Sequence, residues 1–175
     1  MPTRYLFTRG LLELQSGDLE NVRKTAAAAA AGALPPEDPD RTEEKVAAYL
    51  EGMAALAEGR AEEAIERLSW AVAAGGYQYS IYRLGLAHAF LSAGRLPEAM
   101  AAARQASEPG NPFDPRLDLE LDRVRAALVL AEVWEAMDRP DKAANQARQF
   151  LNTWREADRG LQELETAKKQ AGDPR

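Results

Sequence analysis

Apolar residues recur along this chain at intervals of three and four, so its polarity follows a helical period rather than the alternation of strands. Two proline clusters interrupt the pattern: Pro35, Pro36 and Pro39, then Pro109, Pro112 and Pro115. Proline lacks an amide donor and restricts the residue before it, so helices should end before each cluster. Shorter breaks share one form: Ser16-Gly17-Asp18, Glu58-Gly59-Arg60, Ala93-Gly94-Arg95 and Met137-Asp138-Arg139-Pro140. Each suits a tight turn between antiparallel helices, with Gly or Asp at the position that favours positive φ. The pattern predicts helices over 3–16, 18–32, 41–58, 61–74, 78–93, 96–107, 117–137, 140–156 and about 160–170.

Superimposing the turns exposes an internal repeat. Seven residues before each turn residue stand Gly10, Gly52, Ala87 and Ala131. Five residues after it stand Val22, Ala64, Ala99 and Ala143, and twelve after it Ala29, Ala71, Ala106 and Phe150. Small residues at fixed points on both helices of a pair allow close backbone approach, while larger ones such as Leu68 and Phe90 fill the neighbouring space. Self-similarity at about 34 residues or a little more marks a helical solenoid.

The segment YLEGMAALAEGRAEEAIERLSWAVAAGG, through Gly52, Gly59, Ala64, Leu68 and Ala71, resembles the tetratricopeptide repeat (TPR) family. LGLAHAFLSAGRLPEAMAAARQA is similar at Leu86, Ala87, Phe90, Gly94, Ala99 and Ala106, and the flanking units are more degenerate. Gly75-Gly76 stands where the family's closing proline belongs after Ala71. The resemblance implies an all-α fold, a right-handed solenoid of helical hairpins. It would have four helix pairs (units about 3–34, 41–76, 78–108 and 117–156) and a terminal helix, all in one domain. Near the C-terminus, Phe150, Leu151, Trp154, Ala157 and Asp158 resemble the closing phrase of repeat arrays attached to large bacterial signalling proteins. That implies a regulatory part of such a protein, although no kinase motif is present.

Composition narrows the chemistry. The chain is alanine-rich and poor in the β-branched residues that favour strands, so a sheet fold is unexpected. With 28 acidic against 22 basic residues the net charge is −6, which argues against a nucleic-acid or anionic-membrane surface. There is no cysteine, so disulfides, thiolate zinc sites and thiol catalysis are excluded. Arg4 and Arg9 break up the opening segment, which gives no signal peptide, and the run Ala26–Ala31 is too short to span a bilayer. A cytoplasmic protein without metal or cofactor is the expectation.

The single histidine, His88, has Gly85 three residues before it, so the Glu-x-x-His pattern of di-metal bundles is missing. Glu132 and Glu135 share a helix face without any pocket signature. Tyr77, Tyr79 and Tyr82 suit wedges between helix pairs better than a ligand site, and Trp70 and Trp154 suit inter-helix packing.

By resemblance, the concave-face positions are Phe7, Leu11 and Leu14 in the first unit and Tyr49, Met53 and Leu56 in the second. In the third they are Leu84, His88 and Leu91, and in the fourth Leu128, Glu132 and Glu135. Family members that clamp a peptide carboxylate carry Lys and Asn at these positions, whereas here most are apolar. Such a groove either holds an amphipathic helix or peptide, or is covered by the chain's own helix near Leu161, Leu164 and Ala167. The expected function is thus a non-catalytic protein–protein interaction module, with self-association a further expectation. The alternative is a small enzyme or ligand-binding protein with a pocket around His88, Glu132 and Tyr49.

Overall fold

The computed structural model describes residues 3–33, 43–74, 80–108, 117–156 and 161–172. These form nine α-helices: α1 (Thr3–Ser16), α2 (Leu19–Ala31), α3 (Glu43–Ala57), α4 (Ala61–Ala73), α5 (Ser80–Ser92), α6 (Leu96–Ser107), α7 (Leu117–Ala136), α8 (Pro140–Thr153) and α9 (Gln162–Ala171). The helices end within a few residues of the positions predicted from the pattern. Both proline clusters, Gly75-Gly76, Tyr77, Tyr79, Ala157 and Asp158 lie outside the described residues.

The four short turns are built alike. Gly17, Gly59, Gly94 and Asp138 adopt φ of 75°, 76°, 71° and 56°. At Gly59 the amide donates to the Leu56 carbonyl (3.0 Å) and the next amide, Arg60, donates to Ala55 (2.9 Å). The same two bonds recur at Gly94 (to Leu91, then Arg95 to Phe90) and at Asp138 (to Glu135, then Arg139 to Trp134). They satisfy the last carbonyls of one helix, and the residue after the turn already serves as N-cap of the next. So short a link forces the two helices antiparallel. Asp18 caps with its side chain, accepting from the Asn21 amide at 3.2 Å. Arg60 and Arg95 instead pair with Glu63 and Glu98, one turn into the following helix.

Helix pairs α1/α2, α3/α4, α5/α6 and α7/α8 stack in chain order, and α9 joins the end. Odd-numbered helices also touch one another (α1 with α3, α3 with α5, α5 with α7, α7 with α9), whereas the even-numbered ones do not. The odd layer is therefore the tighter, concave side. All the repeat positions read from the sequence are buried: Gly10, Gly52, Ala87 and Ala131, then Val22, Ala64, Ala99 and Ala143, then Ala29, Ala71, Ala106 and Phe150. Leu50 and Leu68 are fully buried among them, each worth about 1.5–3 kcal/mol of apolar burial. Trp154 packs on Phe150 (ring centroids 5.0 Å apart) beneath the Arg125 guanidinium. Trp70, by contrast, is 47 % exposed and so is not the inter-helix packing residue expected.

Helix α9 runs parallel to α7, since Arg125 pairs with Glu163 at 3.4 Å and Gln170 donates to Glu135 at 3.0 Å. It buries Leu164, Ala167 and Ala171 against the last pair and leaves polar residues outward. It thus acts as a further odd-layer helix packed after the last pair. Among the described residues no helix is long and apolar enough to cross a membrane.

Two substitutions separate backbone conformation from packing. At Gly94 a Cβ would meet nothing within 4 Å, so Gly94→Ala should cost about 1–2 kcal/mol through the positive φ alone. Asp138→Gly should stabilise for the same reason, and equal shifts of one sign in denaturant midpoints would contradict the turn account. At Gly52 an added Cβ would lie 2.7 Å from Leu68 Cγ and 3.2 Å from Arg67 Cβ. Overpacking at about 1–3 kcal/mol then outweighs alanine's helix preference of about 1 kcal/mol, so Gly52→Ala should lower the midpoint. A stabilised Gly52→Ala would show that the helices are not held at this separation.

Candidate functional site

The concave side has two parts. Toward the N-terminal halves of the odd helices it is filled by aromatic rings. Phe7 of α1 meets Tyr49 of α3 edge-on (5.7 Å, 72°), and Tyr82 of α5 touches both, at 6.2 Å from Phe7 and 5.4 Å from Tyr49. Rings from three successive odd helices meet there. Gly85 makes the closeness possible: a Cβ there would lie 3.0 Å from Met53 Sδ and 3.1 Å from Tyr49 Cε2. Lys45 is buried beside this cluster, its ammonium 5.8 Å from the Tyr82 ring centroid, and burial lowers its pKa from the usual lysine range. Burial, with Asp122 nearby, drives the Tyr49 phenol well above its ordinary range.

Toward the C-terminal halves the concave-side residues keep partial exposure. Leu11, Leu14, Met53, Leu56 and Leu91 are half-buried there, packed on the core with one side toward solvent. Next along the array, His88 of α5 faces Glu132 of α7, with Nδ1 to Oε2 at 4.0 Å and side chains 40 % and 30 % exposed. That separation is too long for a hydrogen bond. Burial lowers the His88 pKa, while Glu132 is raised first by burial and then by neighbouring Glu135.

Of the positions carried over by resemblance, Phe7, Leu11, Met53, Leu56, His88, Leu91 and Glu132 keep some exposure. Tyr49 is buried in the ring cluster, and Leu84 and Leu128 are each only 7 % exposed. Leu84 belongs to the core beneath the groove floor. Leu128 is covered by Leu164 and Ala167 of α9. Helix α9 contacts only α7 and α8, so it covers that end and leaves the strip from α1 to α5 uncovered by it. In the sequence Gly85 stands out only as a missing glutamate before His88, although a glycine inside a helical period signals close packing, and the buried Lys45 and Asp122 fall unmarked among polar residues at helix starts.

As catalytic machinery the arrangement is incomplete. Among the described residues no carboxylate hydrogen-bonds His88 to orient it, and the Tyr49 phenol is buried and held protonated. Among the described residues no group of three or more His, Asp or Glu side chains is placed to hold a metal ion.

Since His88 is the only histidine, one NMR signal follows it. Its midpoint should fall below 6.5, and Glu132→Gln should lower it further by removing the nearby negative charge. With a depressed folded-state pKa, the unfolded chain takes up the proton first. His88 therefore costs stability as pH drops below about 6.5, and His88→Gln should fall less steeply between pH 7 and 5. A midpoint above 6.5 in the native chain would mean that the imidazole is solvated or ion-paired instead.

No family model and no curated protein matches the sequence. Solved structures do match. The nearly identical TPR-like repeats of a kinesin light chain-like protein from Podosopora anserina superpose with a TM-score of 0.59 at 19% identity, over 99% of this chain and 90% of that one. A second crystal structure of those repeats, a variant with a methionine substitution, gives 0.60 at 19% identity over 98% and 87%. The chain has a TPR-like repeat fold.

Proposed function

We propose that this chain is a non-catalytic protein-interaction module that holds an amphipathic helix or peptide on its concave side. The observation that carries the reading is the strip of half-exposed Leu11, Leu14, Met53, Leu56 and Leu91 across three successive odd helices, left uncovered by α9. Neighbouring helices pack roughly 8–10 Å apart, close to the ~10 Å that seven residues of a helix span. Anchors one heptad apart would therefore fall on successive odd helices, and Met53 supplies an adaptable surface. Phe7 and His88 border the strip. The C-terminal phrase through Phe150, Leu151 and Trp154 supports the further reading of a regulatory part of a larger bacterial signalling protein, with a protein partner.

Helical peptides selected from a displayed library against the whole chain should be rich in apolar residues at i, i+3 or i+4 and i+7. The apolar part of their binding should survive about 0.5 M salt, since apolar contacts are not screened. Met53→Asp with Leu56→Asp should weaken it by a factor of about a hundred, from the desolvation of two unpaired charges, with unchanged circular dichroism. Selected peptides that bind the double variant as well as the native chain would place recognition elsewhere.

A further inference from the structure

Beyond the apolar strip, α7 carries a pair of carboxylates with no Lys or Arg partner among the described residues. Glu132 and Glu135 are one turn apart, and among the described residues neither has a Lys or Arg nitrogen within 4.0 Å. Glu135 accepts a neutral hydrogen bond from Gln170, and Glu132 has only the imidazole of His88 at 4.0 Å. Nearby acids find partners: Glu163 has Arg125, and Glu165 has Lys168. Two carboxylates thus stand together directly beyond Leu91 and His88.

Resting on the reading of the groove as a peptide site, we propose that its α7 end receives a lysine or arginine of the partner. The partner is then an amphipathic segment whose apolar stripe runs into a basic residue about one heptad beyond the last apolar anchor. Three observations converge on it: leucines and Met53 on α1, α3 and α5; two cation-free carboxylates on α7; and continuity between them through His88. Burial and Glu135 both make the charged form of Glu132 costly, and a docked cation would relieve that cost. Complementary charge of this kind fixes the register and direction of the ligand as well as its affinity.

The test uses three designed helical peptides with identical leucines a heptad apart and a terminal lysine, glutamine or glutamate. Each is made with that residue at either end, since the groove does not set the chain direction in advance. Titrated against the full chain in low salt, the lysine peptide in its better orientation should bind about tenfold tighter than the glutamine one. The glutamate peptide should be weakest. In Glu132→Gln/Glu135→Gln, checked for native circular dichroism, the glutamine peptide should bind as before and the lysine advantage should vanish. Equal binding of lysine and glutamine peptides to the native chain would overturn the cation site while leaving the apolar groove standing. Failure of all three would overturn both. A lysine peptide stripped of its leucines that bound just as tightly would mark a bare cation site and also overturn the proposal.

Discussion

The structure depends on how closely helix backbones can approach at positions where a side chain is missing or reduced to a methyl group. At Gly10 an added Cβ would lie 2.5 Å from Leu50 Cδ1, and at Gly52 2.7 Å from Leu68 Cγ. The large residue of one helix therefore occupies the space the small residue of its neighbour vacates. Ala87 and Ala131 repeat the device in the later units, fully buried. Density of this kind is stiff, because close-packed interiors leave a buried side chain little room to move. The array curves because odd helices meet one another and even helices do not.

From that curvature follows the division of the concave side. Where Gly85 draws α5 against α3, the rings of Phe7, Tyr49 and Tyr82 meet and the chain fills its own groove. One turn or so further along the helices the side chains are leucine and methionine rather than rings, and they stay half-exposed. The same packing that fixes the fold thus decides which part of the inner surface is free for a partner.

The repeat was legible in the sequence because its causes are local or strictly periodic. A residue that must adopt positive φ is Gly or Asp, and a residue that must disappear between backbones is Gly or Ala. Both leave fixed offsets such as Gly52, Gly59, Ala64 and Ala71. The site was less legible because exposure depends on what lies opposite. Leu84 and Leu91 occupy equivalent sides of one helix, yet the first is core and the second borders solvent. Leu128 has the same helical position as Tyr49, and α9 covers it while aromatic rings cover Tyr49. Trp70 shows the converse, a residue whose type suggests burial but which is left about half exposed.

The central claim is that the open, C-terminal half of the concave side is the recognition surface. Methyl-resolved NMR of the whole chain with a bound amphipathic peptide tests it most directly, since Leu11, Leu14, Met53, Leu56 and Leu91 each carry a probe. The account predicts that these methyls shift together, that Leu84 and Leu128 shift little, and that Leu12 on the outer side of α1 stays still. Shifts centred on Leu12 and Tyr5, with the groove methyls unmoved, would contradict it.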